Sequence, residues 1–225
     1  MKKIDRFIYP GTKREQIKGK RHYSVGEEKL PSVTTILAAT QSEEKKASLA
    51  RWKAREGEAR AEEIKNLSAN RGTLMHNLLE KHILGIGYQD LTDLGQEATK
   101  MAAMIVDRGL SKVSGYYGTE VTVHYPGLYA GQTDLAGVFD GQDAIIDFKQ
   151  SNKAKQREWI GDYFTQLAAY AMAHDHVYGT QIDKCVIMMC TPEPFYQEFI
   201  LQGEELKKYK YEWLKKIDQY YKGGV

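Results

Sequence analysis

The chain has 225 residues, 28% of them charged and 42% hydrophobic, with a formal net charge of +2. That length supports one sizeable core with an elaboration on it, and the near-neutral charge excludes a nucleic-acid binder built on overall basicity. No apolar run approaches membrane-spanning length, and two cysteines, Cys185 and Cys190, are too few for a four-cysteine zinc or iron–sulfur site.

The elements are expected in this order. Residues 1–22 carry eight Lys/Arg against Asp5 and Glu15, and residues 1–30 read as a basic arm ending in a short strand at 22–25. The start lacks an apolar signal core and an Arg/Ser-rich leader, so a cytoplasmic protein is expected, neither secreted nor mitochondrial. Pro31-Ser32-Val33-Thr34 reads as a capped helix start, with Ser32 or Thr34 as the cap. Residues 42–67 are rich in Ala, Lys, Glu and Arg with few large apolar residues, which suits an exposed helical segment. An amphipathic helix is expected over 72–84, with Leu74, Leu78 and Ile83 inward, and another over 94–112. Strands follow at 117–126, 129–139 and 143–150, a long helix at 157–178, strands at 184–190 and 195–201, and a charged helix at 204–221. This order implies one α/β domain with a mixed sheet.

The hairpin at the centre of the chain is the most telling segment. Asp140-Gly141 between two alternating runs is a strong two-residue turn signal. With that loop, paired positions sum to 281, and Asp134 lies across from Asp147. Lys149, two residues on, shares the face, while Ile146 and Phe148 point the other way. Carboxylates about 5 Å apart repel unless a proton or cation lies between them. Oxygen ligands suit magnesium or manganese, and a lysine beside such an ion points to chemistry on a phosphate. A solvated charged face is the plainer alternative for any one of these residues. It is less comfortable for all three, because the surrounding Ala144, Ile145, Ile146 and Phe148 read as buried.

Other signals are weaker alone. His76 and Glu80 are four apart on a helix, as are Gln166 and Tyr170. Glu120, at the start of a strand run, reads either as a further site carboxylate or as an edge charge. Lys149, Lys153, Lys155 and Arg157 form a basic group directly after the acidic pair.

Taken in order, Gly72-x-x-x-His76-x-x-x-Glu80, Gly131-x-x-Asp134, Asp147-Phe148-Lys149 and Gln166-x-x-x-Tyr170 resemble the PD-(D/E)XK nuclease superfamily in its RecB-like branch. Pro31-Ser32-Val33-Thr34, Arg51-Trp52-Lys53 and the run from Asp147 to Lys155 look like mitochondrial genome maintenance exonucleases and their bacteriophage relatives. The resemblance implies a restriction-endonuclease-like core: a mixed central sheet flanked by helices, with an N-terminal helical arch insertion. One nuclease domain would fill 1–225, with the arch at 42–67, the catalytic core at 72–203 and a C-terminal helix at 204–225. It implies an exodeoxyribonuclease that hydrolyses single-stranded DNA from free ends with one or two Mg2+ or Mn2+ ions and no iron–sulfur cluster. His76, Asp134, Asp147 and the Phe148 main-chain carbonyl would hold metal, with Glu80 behind His76 or acting through water. Asp134, Asp147, Lys149, Gln166 and Tyr170 would be catalytic, and Ser32, Thr34, Arg51, Trp52, Lys53, Arg71, Lys153, Lys155 and Arg157 would contact DNA. A monomer from a bacterium or phage is expected, acting in replication, repair or recombination, where it could meet other proteins of those processes. The alternatives are an end-resecting exonuclease for duplex DNA and a nuclease-fold module that binds DNA without cutting.

Overall fold

The computed structural model describes residues 1–223. A six-stranded mixed sheet carries the architecture, in the order β1 (Lys2–Lys3), β5 (Val113–Tyr125), β6 (Tyr129–Phe139), β7 (Gln142–Gln150), β8 (Lys184–Cys190) and β9 (Tyr196–Gln202). Strands β5, β6 and β7 form an antiparallel meander, β7 runs parallel to β8, and β8 pairs antiparallel with β9. The parallel step needs a crossover, and α5 (Gly161–Tyr178) supplies it. The sheet is buried on both faces. One layer packs Ile145, Ile187, Phe164, Leu167 and Trp213 between the sheet, α5, α1 (Val33–Ala39) and α6 (Gly203–Lys222). The other packs Ile146, Phe148 and Met188 against α3 (Glu58–Leu84) and α4 (Asp93–Arg108). The α/β class with a mixed sheet between helices is therefore as expected.

The hairpin register is also as expected. Phe139 pairs with Gln142 and Leu135 with Ile146, both summing to 281, around an Asp140-Gly141 loop in which both residues have positive φ. Ser32 proves to be the α1 cap, its Oγ accepting from Thr35 N–H at 3.0 Å.

Three expectations need correction. The first 30 residues are not an arm. Lys2–Lys3 pairs with the edge of β5, and β2 (Lys13–Ile17), β3 (Lys20–Val25) and β4 (Glu28–Pro31) form a separate antiparallel sheet. Tyr23, Val25 and Leu30 bury themselves against Ala130 and hold that sheet to the core, a long-range contact that local charge counting cannot reveal. Secondly, the helix bearing His76 does not begin at 72; it runs unbroken from Glu58. The exposed segment is thus α2 (Glu43–Glu56) plus the first half of α3, joined at Gly57, whose φ of 82° favours glycine. Helix α2 buries no residue, and α3 buries only Ala61 before Arg71. Thirdly, α3 turns Met75, Leu79 and Ile83 fully inward, whereas Leu74 and Leu78 are only partly buried.

Candidate metal centre and phosphate pocket

The backbone positions the acidic residues through strand register. Thr119 pairs with Leu135 and Val121 with Thr133, so Glu120 lies opposite Asp134. Asp134 in turn lies opposite Asp147, one step beyond the last paired residues, Leu135 and Ile146. Glu120, Asp134 and Asp147 therefore form a row across three adjacent strands. The β6–β7 ladder opens at this row: Asp134 Oδ2 accepts the Phe148 N–H at 2.6 Å, a side chain taking the place of a main-chain partner. Glu120 adopts a φ of 52°, uncommon for a non-glycine residue, and Gln132 Nε2 donates both to its carbonyl at 3.0 Å and to its Oε2 at 2.9 Å.

Helix α3 brings His76 to this row. Its Nδ1 is 3.3 Å from Asp134 Oδ1 and 3.8 Å from Glu120 Oε1, and its ring meets that of Phe148 edge-on. One ligand atom from each of His76, Glu120 and Asp134 fits within 4.8 Å, a group able to hold a metal ion. Asp147 is 2% exposed; the Lys149 ammonium lies against its Oδ2, yet that buried oxygen makes no hydrogen bond of acceptable geometry. Lys149 also lies over the Tyr163 ring, 5.2 Å from its centroid.

The charges do not balance without help. Two carboxylates about 5 Å apart repel by about 3 kcal/mol at an effective dielectric near 20, and three are present against one lysine. Protons fill the deficit. Burial resists protonation of His76, but Asp134 and Glu120 outweigh it and push its pKa up to about 10. Burial, reinforced by Asp134 and opposed by Lys149, raises Asp147 to about 6. Burial also raises Glu120 against the pull of His76. Asp134 goes the other way, because His76, Lys149 and the Phe148 N–H outweigh its burial. An oxygen-rich set with one imidazole, closed to within 4.8 Å, fits a hard divalent cation.

This deficit predicts a pH dependence. A group whose pKa is raised by folding stabilises fully below its ordinary value and loses that contribution as pH climbs through the folded value. For His76 the window runs from 6.5 to about 10. The metal-free protein should therefore melt at progressively lower temperature as pH rises across that range. Added Mg2+ or Mn2+ should raise the melting temperature more at the alkaline end, where protons compete less for the ligands. Thermal melts in chelator, with and without the cation, check this. A metal-free midpoint that stayed level or rose across the window would refute the charge deficit.

The other expected residues divide into those near this row and those elsewhere. Ser32, Thr34, His76, Asp134, Asp147, Lys149, Gln166 and Tyr170 all line one pocket of about 360 Å³. Gln166 Nε2 donates to the Tyr170 hydroxyl at 2.8 Å, so it fixes the tyrosine. Gly131 lacks the Cβ that would strike the Tyr170 ring, which explains the glycine three residues before Asp134. Glu80 lines an adjoining depression with His76 and Glu120 but falls outside the metal-capable group. Arg157 is already engaged: it pairs with Glu205, donates to the Ile200 carbonyl at 2.8 Å and covers Phe164. Arg71 is buried and pairs with Glu97 at 3.4 Å. Lys153 is exposed and Lys155 half-buried, and both lie on the loop after β7. Arg51 and Lys53 are exposed on α2 with Trp52 half-buried between them.

Arg14, Arg21, Tyr23, Gln132 and Tyr163 line the pocket without having been expected there. Glu120 lines it too, and of the two readings the sequence allows it is the site carboxylate that the geometry favours. The same register arithmetic, carried across the Pro126-Gly127-Leu128 turn, places it opposite Asp134.

No protein-family model matches the chain. It is similar to mitochondrial genome maintenance exonuclease 1 of Xenopus tropicalis, at 28% identity over 208 residues covering 81% of this chain and 59% of that protein. The mouse protein of the same name is 30% identical over 204 residues, covering 85% and 59%, and the human one 28% identical, covering 85% and 58%. The chain thus spans under two thirds of the length of these relatives. The expected likeness to this group of exonucleases is present. Among solved structures, an exonuclease candidate from Eubacterium rectale superposes with a TM-score of 0.49 at 16% identity over 69% of each chain, too loose a match to carry weight.

Proposed function

We propose, from its place in a nuclease superfamily, that this chain is a divalent-cation-dependent exodeoxyribonuclease of the PD-(D/E)XK type acting on free ends of single-stranded DNA. The observation that carries the reading is the row Glu120, Asp134, Asp147, with His76 at one end and Lys149 at the other. His76 Nδ1, Glu120 and Asp134 would hold a cation, and Asp147 with the Phe148 carbonyl would complete its surroundings or share a second ion. When bound, such an ion lowers the pKa of a coordinated water and offsets charge on the phosphate.

The chain's own groups do the rest. Asp147 keeps Lys149 charged, and the Tyr163 ring lies beneath its ammonium. Lys149 would then donate to the attacking water or to a phosphate oxygen, where charge accumulates as the phosphorus–oxygen bond breaks. Tyr170, held by Gln166, walls the pocket opposite Gly131.

End selection is assigned to the exposed helices. Lys45 pairs with Asp162 at the start of α5, Lys46 with Glu43 and Arg55 with Glu56. Arg51 and Lys53 make no ion pair among the described residues, and they flank Trp52, which could stack a base. No helix among the described residues is long and apolar enough to cross a membrane. We further propose a cytoplasmic monomer of bacterial or phage source, in contrast to the mitochondrial genome maintenance that the relatives' name states.

The test compares end-labelled linear single strands, circular single strands and linear duplex with Mg2+ or Mn2+. Linear single strands should be shortened from an end, circles should resist, and chelator should stop the reaction. Replacing residues 43–56 by a flexible linker should abolish discrimination against circles while leaving cation binding intact. The replacement stops before Gly57 because α3 continues unbroken to His76. Cleavage of circles by the parent would remove the end requirement, faster loss of duplex would favour an end-resecting enzyme, and binding without cleavage would leave a DNA-binding module.

A further inference from the structure

The pocket has two walls of opposite sign. Cation-binding groups form one. The other comes from the small β2–β3–β4 sheet, through Arg14, Arg21 and Tyr23. Their presence there follows from register: Arg14 pairs with Tyr23 and Gln16 with Arg21, so all four side chains share one face. The opposite face carries Glu15, which accepts from Ser24 at 2.9 Å and pairs with Lys29.

The two arginines differ from most others in the chain. Of its nine arginines, Arg6, Arg55, Arg60, Arg71, Arg108 and Arg157 each pair with a carboxylate. Arg14, Arg21 and Arg51 have no such partner among the described residues, and two of these three face the same pocket. Their mounting is firm. The Arg21 carbonyl accepts both Ser32 N–H and Thr35 Oγ1–H at 2.9 Å, which locks that strand to the start of α1. Tyr23 is 4% exposed and anchors the sheet in its own apolar cluster. Arg14 also lines the adjoining depression that holds Ser68, Thr73, Asn77 and Glu80, so it stands where the two hollows meet beside His76.

We propose that Arg14 and Arg21 form a phosphate clamp, gripping a phosphate of the substrate strand on the wall facing the cation group and so setting the strand's path through the site. Guanidinium groups suit this because their planar forks match phosphate oxygens and remain charged. The clamp rests on the nuclease reading above. It deepens it by assigning substrate positioning to a part of the fold outside the catalytic sheet. The phosphate could be an internal diester or a terminal monoester.

Arg14→Gln and Arg21→Gln, singly and together, test this, with Arg108→Gln as a remote control. DNA affinity is measured with Ca2+ in place of the active cation and across a salt series. Each pocket variant should weaken binding about tenfold, as expected for loss of a charge-assisted contact. Each should also lower the salt slope by about one unit. Arg→Lys at either position should recover part of the affinity, and Mn2+ binding without DNA should not weaken. Strands ending in phosphate or hydroxyl, at 5′ and 3′ termini in turn, separate the sources. A penalty confined to one phosphorylated end identifies a monoester, and one seen with every end identifies a diester. Unchanged affinity and slope in the double variant, with a native melting profile, would overturn the clamp. Failure of the parent to cut DNA would instead strike the nuclease reading, which the binding measurements do not share.

Discussion

Asp134→Asn and Asp147→Asn should each lower turnover by roughly three orders of magnitude or more while DNA binding survives. An effect of that size is expected when a cation ligand is lost and with it the ion that offsets charge on the phosphate. The two variants should differ in their other consequences. Asp134 accepts the Phe148 N–H and meets His76, so its amide weakens cation binding and disturbs the junction of β6 and β7. Asp147 is a carboxylate that folding makes harder to ionise, and its neutral isostere removes repulsion from Asp134. The metal-free Asp147→Asn protein should therefore melt no lower than the parent near neutral pH. Calorimetric Mn2+ titration, single-turnover cleavage and thermal melts measure the three effects. Near-normal turnover in either variant would remove that residue from the centre.

Lys149→Ala is the second large effect. Its loss should slow the chemical step by roughly two to four orders of magnitude, the range for an electrostatic stabiliser or acid–base group. Cation affinity should hold or rise, because the row keeps its carboxylates and loses a competing charge. The structure narrows the cause. Burial disfavours the ammonium, but Asp147 and Asp134 outweigh it and raise the Lys149 pKa, so in the proposed reaction the side chain would act as a charged donor and not as a neutral base. The rate should accordingly show no loss on acidification that tracks a lysine with a depressed pKa. A variant that lost cation binding in proportion to its rate would show that Lys149 organises the site without taking part in the step.

Much of this site is legible in the amino-acid sequence alone. The Asp140-Gly141 turn determines the pairing of β6 with β7, because a two-residue loop leaves one register open. Strand alternation then places Asp147 and Lys149 on one face and Ile146 and Phe148 on the other, and the two buried layers divide in that way. Ser32 was legible as a cap because capping is local chemistry. The exposed character of residues 43–56 followed from composition, since a helix with few large apolar residues has little to bury.

Tertiary structure decided the rest. The row gains His76 only when α3 packs against the sheet by burying Met75 and Leu79. Spacing along a helix favoured Glu80 as the partner of His76, but the group that closes around the imidazole comes from two other strands. The arginines divide for the same reason. Arg157 looked free in a basic run, yet Glu205, 48 residues later, occupies it. Arg14 and Arg21 looked like part of a loose arm until Tyr23, Val25 and Leu30 found Ala130 and turned that arm into a wall of the pocket. Local periodicity and turn chemistry determine which face a side chain occupies within its own element. Which elements meet depends on burying apolar surface between residues far apart in the chain, and no local pattern encodes those partners.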